Sequence, residues 1–213
     1  MPGHRGGGAE RAYAGVFAVI GWTAVVGQYL AGHAGSLAST IDYFSYFTIL
    51  SNVLVAATLS VAALAPNSQS QRFLLRPTVL LAAAVYITVT GVTYYVLLAK
   101  LYHLAGWVLF YDRLLHYVMP PAFVLFWLLF VQRGGVGFGS ATWVLAAPVV
   151  YAAYTFARGP LTGFYPYPFV DLPKIGAAVA VRNVAEFAVF FYALALVFVM
   201  IDRLMARRKS LRP

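Results

Sequence analysis

The sequence predicts an all-α, polytopic membrane protein: a bundle of six transmembrane helices. Of its 213 residues, 62% are hydrophobic and only 10% are charged, whereas a soluble domain carries about 25% charged residues. The apolar runs between the charges are long enough to cross a bilayer, which takes roughly 20 residues per helix. These observations exclude a water-facing globule. The absence of cysteine also excludes disulfides, thiolate metal sites and cysteine nucleophiles.

The predicted spans are separated by turn and polar residues. Residues typical of turns occur at Ala65-Pro66-Asn67-Ser68, Arg133-Gly134-Gly135 and Gly163-Phe164-Tyr165-Pro166-Tyr167-Pro168. The spans are expected at 11–31, 42–65, 76–98, 111–132, 140–158 and 176–202. A single domain then covers 11–202. It lies between a Gly-rich head at 1–10 and a basic tail at 203–213, and we expect both of these ends to be disordered.

Lysine and arginine are unevenly distributed between the two sides of the bundle. The side with both termini and the second and fourth loops has ten: Arg5, Arg11, Arg72, Arg76, Arg133, Arg203, Arg207, Arg208, Lys209 and Arg212. The opposite side has five: Lys100, Arg113, Arg158, Lys174 and Arg182. Because basic loops stay inside, both termini are predicted to be cytoplasmic. We interpret the basic tail as a topology anchor on anionic lipid and expect no nucleic-acid partner.

Polar and ionisable side chains concentrate near the outer ends of the second, fourth and sixth spans. An ionisable residue inside a bilayer is costly, so each is a functional hypothesis by default. The group comprises Asp42, Ser45, Thr48 and Asn52 in the second span, Asp112 and His116 in the fourth, and Arg182, Asn183 and Glu186 in the sixth. Because three helices place polar groups at similar depth, we predict one cavity, open towards the outer leaflet and lined by Thr48, His116 and Arg182.

Helical phase assigns these residues to shared faces. At about 100° per residue, the second span carries one polar stripe, which consists of Asp42, Ser45, Thr48 and Asn52. Asp112 and His116 are four residues apart and share a face, as do Arg182 and Glu186. Hydrocarbon penalises such stripes, so they should face the bundle centre or a hydrated cavity. For Arg182 and Glu186, simple mutual neutralisation is an open alternative.

Two prolines follow His116 closely. Pro120 has no N–H for the carbonyl of His116, and Pro121 has none for that of Tyr117. We therefore predict a kink just below His116 that opens the helix wall there. A carbonyl freed in this way could accept a hydrogen bond from a water or a ligand hydroxyl.

Three landmarks have the order and spacing of a known family. They are Tyr46-Phe47-Thr48, His116 with Pro121 five residues later, and Tyr167-Pro168-Phe169-Val170-Asp171 before the last span. From about 12 to 200 the sequence resembles the androgen-induced protein / androgen-dependent TFPI-regulating protein family, and most of all its prokaryotic six-helix relatives. The resemblance implies a threonine hydrolase that cleaves fatty acid esters of hydroxy fatty acids in a prokaryotic plasma (inner) membrane. The nucleophile then carries over to Thr48 and its histidine partner to His116.

The chemistry of such a site sets further expectations. A threonine hydroxyl is a weak nucleophile and needs a base within hydrogen-bond reach, and histidine is the usual base. Asp112, on the face of His116, would orient the imidazole. The oxyanion needs hydrogen-bond donors, for which Asn52, Asn183 and Arg182 are candidates. Arg182 could alternatively bind a fatty carboxylate.

Two other classes stay open. One is a metal hydrolase that uses His33, His103 and His116 with an aspartate, although no i,i+4 histidine pair supports it. The other is a non-catalytic lipid-binding or transport protein, with the polar layer as its binding site or proton relay. We expect no metal and no cofactor. The expected partners are the lipid bilayer and a membrane lipid or fatty acyl ester substrate.

Overall fold

The computed structural model describes residues 7–64 and 73–210, and all regular structure in these residues is helical. The helices are α1 Gly8–Gly32, α2 Leu37–Phe44, α3 Phe47–Leu64, α4 Pro77–Thr93, α5 Gly106–Arg113, α6 Met119–Phe130, α7 Phe138–Val144, α8 Ala146–Thr162, α9 Leu172–Ile175 and α10 Ala177–Ser210. A π-helical turn, Tyr94–Leu98, continues α4, a second, Leu114–Val118, joins α5 to α6, and a 3-10 turn, Pro168–Val170, precedes α9.

Six segments of the described chain are long and apolar enough to cross a membrane. They are Gly8–Gly32, Phe47–Leu64, Pro77–Leu98, Gly106–Phe130, Phe138–Thr162 and Ala177–Arg207. Exposed side chains such as Val19, Leu129 and Val189 cover their outer faces, as contact with lipid requires. The prediction of an all-α polytopic bundle is confirmed.

The first and last helices extend beyond the predicted domain limits. The expected disorder is wrong for Gly8–Glu10 and for 203–210, which are helical, while residues 1–6 and 211–213 lie outside the described part. Tertiary contacts explain both extensions. Arg11 donates through Nε to the Ala63 carbonyl at 2.9 Å, and the Arg203 guanidinium lies 4.0 Å from the centroid of the Phe138 ring.

The second predicted span, 42–65, is wrong as a single helix, because the chain breaks at Ser45 between α2 and α3. In an uninterrupted helix the N–H of Thr48 would donate to the carbonyl of Phe44. It donates instead to the Tyr167 hydroxyl at 3.0 Å, and the Ser45 carbonyl accepts from the Tyr151 hydroxyl at 3.0 Å. Two tyrosines distant in sequence thus satisfy the backbone groups that the break releases.

The fifth predicted span, 140–158, is likewise divided into α7 and α8 at Leu145. Pro148 has no N–H to donate to the Val144 carbonyl, which lies four residues earlier. The Tyr86 hydroxyl donates to that carbonyl at 2.7 Å. This hydrogen bond compensates for the proline and ties the break to α4.

The region of the predicted kink contains a π-helical turn, Leu114–Val118, which includes His116. It ends two residues before Pro120, which has no N–H to donate to the His116 carbonyl. A Cβ placed on Gly91 of α4 would lie 3.0 Å from the Pro120 ring and 3.2 Å from the His116 carbonyl oxygen. The glycine therefore lets α4 approach this turn closely, which brings Tyr94 beside His116.

The main hydrophobic core lies between α1, α3, α4, α6, α7 and α10. Its largest fully buried side chains include Leu59, Leu81, Phe123, Phe126 and Trp127. Two smaller clusters surround the start of α3, one with Tyr43 and Leu115 and the other with Tyr94 and Tyr167. The polar side chains near the start of α3 are thus held between rigid packed elements.

Candidate active site

Thr48, the second residue of α3, is the centre of a buried polar cluster. Its Oγ1 lies 3.4 Å from Nε2 of His116 and 3.2 Å from the Tyr167 hydroxyl. The break between α2 and α3 places Thr48 in the first turn of a helix, where backbone N–H groups lack intrahelical partners. Thr48 therefore presents both a hydroxyl and a backbone N–H to the same small region.

The hydrogen bonds of His116 determine which of its ring nitrogens carries the proton. Nδ1 lies 2.9 Å from the backbone oxygen of Asp112 and 3.2 Å from its Oδ1. Both partners are acceptors, so Nδ1 is the protonated nitrogen of the neutral ring. Nε2 is then a free acceptor that faces the Thr48 hydroxyl. This is the tautomer that a general base requires.

Tyr94, from the other π-helical turn, fixes both members of the Asp112–His116 pair. Its hydroxyl donates a short hydrogen bond to Oδ2 of Asp112. Its ring stacks on the His116 ring with centroids 3.7 Å apart and planes 16° apart. No pattern in the sequence singles out this tyrosine, because its partners lie on another helix.

Tyr167 reaches Thr48 from the loop that precedes α9. Its ring stacks on Phe169 with centroids 5.1 Å apart, and the residue is only 8% exposed. Burial raises the pKa of Tyr167 to about 12, although its hydrogen bonds to Thr48 act in the opposite direction. The hydroxyl therefore stays protonated near neutral pH. The sequence contained this tyrosine as a landmark of the loop but did not assign it to the site.

Two cavities meet at Thr48. The first, which we call the polar cavity, has a volume of about 230 Å³ and is lined by Thr48, His116, Asp112, Tyr94 and Tyr167, among others. Gln28 and His33 also line it. Each contributes a buried atom, Oε1 and Nδ1 respectively, without a hydrogen-bond partner among the described residues. The lining of this cavity thus includes two residues with unpartnered polar atoms besides the Thr48 cluster.

The second cavity, which we call the apolar cavity, has a volume of about 100 Å³. It lies between α8 and α10, and most of its lining side chains are apolar, among them Val89, Val149, Val184, Phe187 and Phe191. Thr48, Tyr167 and Leu98 line both cavities. The threonine thus stands at a boundary between a polar and an apolar space.

Asp42 and Ser45 do not join this cluster, and the predicted single stripe with Thr48 and Asn52 is wrong because the helix breaks within it. Arg158 of α8 donates to Oδ1 of Asp42 at 2.6 Å and to Oγ of Ser45 at 3.4 Å. These contacts hold α2 against α8. Neither residue lines the polar or the apolar cavity.

The predicted oxyanion donors also face elsewhere. Asn52 is fully buried and donates to the carbonyls of Thr48, at 2.9 Å, and Leu115, at 3.4 Å. Asn183 donates to the Phe169 carbonyl at 2.9 Å. Neither asparagine lines either cavity. Both side chains instead support the backbone around the site.

Arg182 and Glu186 form an ion pair with each other, and their side chains are 66% and 67% exposed. The prediction that Arg182 shares a cavity with Thr48 is therefore wrong, as is the placement of Glu186 in the polar cavity. The physical reason is the orientation of α10, which directs Val184, Phe187 and Ala188 towards the interior.

The three histidines of the metal alternative do not assemble. Within residues 7–64 and 73–210, no group of three or more His, Asp or Glu side chains is placed to hold a metal ion. Comparison of the chain with protein-family models, with curated proteins and with solved structures gave no match. The argument for function therefore starts from the geometry around Thr48.

Proposed function

We propose that the protein is an integral membrane lipid-ester hydrolase, of the kind that cleaves fatty acid esters of hydroxy fatty acids. Thr48 is the nucleophile, His116 the general base, and Asp112 positions the imidazole. One observation carries the proposal: the contacts run from Thr48 Oγ1 to His116 Nε2 at 3.4 Å and from His116 Nδ1 to Asp112 Oδ1 at 3.2 Å. This is the order of a nucleophile–base–orienter triad.

The reaction proceeds through an acyl-enzyme. Thr48 Oγ1 bonds to the ester carbonyl carbon, and its proton passes to Nε2 of His116. The carbon–oxygen bond to the alcohol then breaks, and His116 returns the proton to the departing alkoxide. A water next attacks the threonine ester and gives one proton to His116, which returns it to Oγ1 as the carboxylic acid leaves. Atoms and protons balance without a cofactor.

The tetrahedral oxyanion requires donors close to Thr48, and two are present. The Tyr167 hydroxyl lies 3.2 Å from Oγ1, and the Thr48 N–H points at that hydroxyl from 3.0 Å. The N–H belongs to the first turn of α3, where the helix dipole favours negative charge. In the proposed transition state, Tyr167 and this N–H both donate to the oxyanion. They take the role that the sequence had offered to Asn52, Asn183 and Arg182.

The polar cavity gives the leaving alcohol and the hydrolytic water a place beside the base. The unpartnered atoms of Gln28 and His33 supply hydrogen-bonding capacity along its wall. Apolar outer surfaces on the spans are compatible with lipid contact, so a lipid ester could reach Thr48 from the bilayer. These features support a lipid substrate over a water-soluble one.

For the membrane orientation, we propose that both termini are cytoplasmic, in the plasma membrane of a prokaryote. The support is the sequence count of ten basic residues against five and the family resemblance. Reporter fusions at Arg212 and at Lys100 test the orientation. We expect a cytoplasmic signal from Arg212 and an external one from Lys100, and the reverse pattern would overturn it.

A fluorophosphonate probe tests the catalytic assignment directly. The Thr48 oxygen should bond to phosphorus as fluoride leaves, and mass spectrometry of the digested protein should locate the adduct on Thr48. Thr48→Ala and His116→Ala should abolish labelling. Thr58→Ala is the matched control and should keep the labelling, because Thr58 is another buried threonine of α3 and lines neither cavity. Labelling elsewhere, or full hydrolase activity in folded Thr48→Ala protein, would overturn Thr48 as the nucleophile. A folded wild-type protein that is not labelled and hydrolyses no ester would favour the non-catalytic lipid-binding or transport alternative.

A further inference from the structure

The apolar cavity has an elongated lining that follows two helices. Along α8 the lining residues run from Pro148 to Thr155, and along α10 they run from Val184 to Phe191. Each run covers seven helical steps, or about 10 Å at 1.5 Å per residue. The cavity therefore extends along both α8 and α10, with Thr48 in its wall.

The lining of this cavity reaches the surface that faces lipid. Val149 lines it and is at the same time 58% exposed. Ala152 of α8 and Ala188 of α10 also line it and are partly exposed. Both helices belong to spans that are apolar enough to cross a membrane. An aliphatic chain could thus pass from the bilayer into the cavity without crossing water.

We propose that the apolar cavity binds the acyl chain of the substrate, which enters from the bilayer between α8 and α10. This inference rests on the proposed function for the position of the ester at Thr48. It goes further by assigning the acyl part of the substrate to the apolar cavity and the alcohol part to the polar cavity. The assignment follows from chemistry: Thr48 and Tyr167 line both spaces, and of the two only the polar cavity is lined by His116, the base that protonates the alcohol.

The length of the lining sets the acyl length that the cavity accommodates. An extended aliphatic chain advances roughly 1.2 Å per bond, because an extended peptide chain advances about 3.6 Å over the three backbone bonds of one residue. A lining of about 10 Å therefore runs alongside at most about eight methylene groups. The remainder of a longer acyl chain should extend between α8 and α10 into the bilayer.

A photoreactive fatty acid tests chain binding without relying on turnover. Protein in lipid nanodiscs is irradiated with palmitic acid that carries a diazirine in its chain, and the adducts are mapped by mass spectrometry. We expect adducts on the cavity faces of α8 and α10 and about tenfold less labelling in Ala188→Phe, which fills the lining. Ala185→Phe is the matched control, because Ala185 is exposed and lies outside the cavity lining.

Adducts spread evenly over the lipid-facing surface would overturn the inference. Equal labelling of the Ala188→Phe and Ala185→Phe proteins would do the same. Adducts on these two faces from a protein that hydrolyses no ester would support chain binding and contradict the hydrolase proposal. The failures of the two proposals are therefore distinguishable.

Hydrolysis of p-nitrophenyl esters adds a kinetic test. In Ala188→Phe and in Ala152→Phe, kcat/KM for the octanoate and palmitate esters should fall about tenfold relative to that for the butyrate ester. Ala185→Phe and Ala153→Phe, on the exposed faces of the same helices, should keep the wild-type chain-length profile. A loss in Ala188→Phe that is equal for all three esters would contradict the assignment of the acyl chain to this cavity.

Discussion

Two acid–base pairs with the same sequence spacing have opposite surroundings in this molecule. Asp112 with His116, and Arg182 with Glu186, are each four residues apart in a membrane span. The side chains of the first pair are 8% and 7% exposed, and those of the second are 66% and 67% exposed. Spacing therefore predicts that two side chains share a helix face, but it does not predict what that face contacts.

The Asp112–His116 pair differs from the Arg182–Glu186 pair because side chains from other helices contact it. Tyr94 donates to Asp112 and stacks on His116, and Thr48 lies within hydrogen-bond distance of Nε2. The second pair satisfies itself, with Nε of Arg182 at 3.5 Å from Oε1 of Glu186. Contacts across helices, which spacing does not predict, thus direct the first pair towards Thr48 and the polar cavity.

The largest expected effect comes from disrupting the first pair and Thr48, the proposed nucleophile. Thr48→Ala and His116→Ala should each lower kcat for a branched fatty ester by about 10⁴- to 10⁶-fold, and the double variant should lose little more, because residues that act as a unit are not additive. Thr48→Ser keeps the hydroxyl and should retain part of the activity. The measurement is turnover by purified protein in detergent, with monodispersity checked by size-exclusion chromatography.

Removal of the Tyr167 hydroxyl should have the next largest effect. Tyr167→Phe should lower kcat by about 10²- to 10³-fold with KM little changed, since one oxyanion donor is lost. Tyr165→Phe, two residues earlier in the same loop, is the matched control and should retain wild-type kcat. If Tyr167→Phe raised KM and left kcat unchanged, the hydroxyl would contribute to ground-state binding, and the oxyanion role would be wrong.

The fold was largely predictable because membrane spans are a property of composition and length. The helix breaks at Ser45 and Leu145 were not predicted, although Pro148 was a visible signal for the second. The break at Ser45 depends on hydrogen bonds from Tyr151 and Tyr167. Those partners are more than a hundred residues away in sequence, so no local pattern could reveal the break.

The site was predictable only in part. Contacts between residues close in sequence were predicted, and contacts that depend on the packing of distant segments were largely not. The Asp112–His116 contact is local, and helical spacing predicted it. The depth and phase of the polar residues predicted a cavity shared by Thr48 and His116, and the resemblance named Thr48 as the nucleophile. The Thr48 hydroxyl lies 3.4 Å from Nε2 of His116. Tyr94 and Tyr167 were missed because tyrosines near span ends are usually interfacial residues. Only the packing of α3, α4 and the loop before α9 distinguishes these two from the others.

A smaller loss is expected when the carboxylate of the first pair is neutralised. In Asp112→Asn the backbone oxygen of residue 112 lies 2.9 Å from Nδ1 of His116. It can still accept a hydrogen bond from the Nδ1–H group and so keep the ring in the correct tautomer. The fall in kcat should therefore stay well below the roughly 10⁴-fold loss that a wrong tautomer causes.

Steady-state kinetics separates positioning by Asp112 from a structural role. Positioning predicts a lower kcat at constant KM and an unchanged thermal midpoint, and Tyr94→Phe should lower kcat less than Asp112→Asn. A loss as large as that of His116→Ala would mean that the carboxylate itself is indispensable and that the backbone oxygen does not orient the ring.

The smallest effect is expected from the exposed pair. Arg182→Gln and Glu186→Gln should change kcat/KM by no more than about twofold, because surface substitutions away from a site shift free energies by about 0.5 kcal/mol or less. The sharpest test is the double variant Arg182→Glu/Glu186→Arg, which keeps the ion pair but exchanges the positions of its positive and negative charges.

If Arg182→Gln instead raised KM more than about tenfold for a substrate with a free carboxylate, and not for its methyl ester, Arg182 would bind that carboxylate. Its exposed position beside the lipid would then belong to substrate capture, and the two pairs would both serve the reaction.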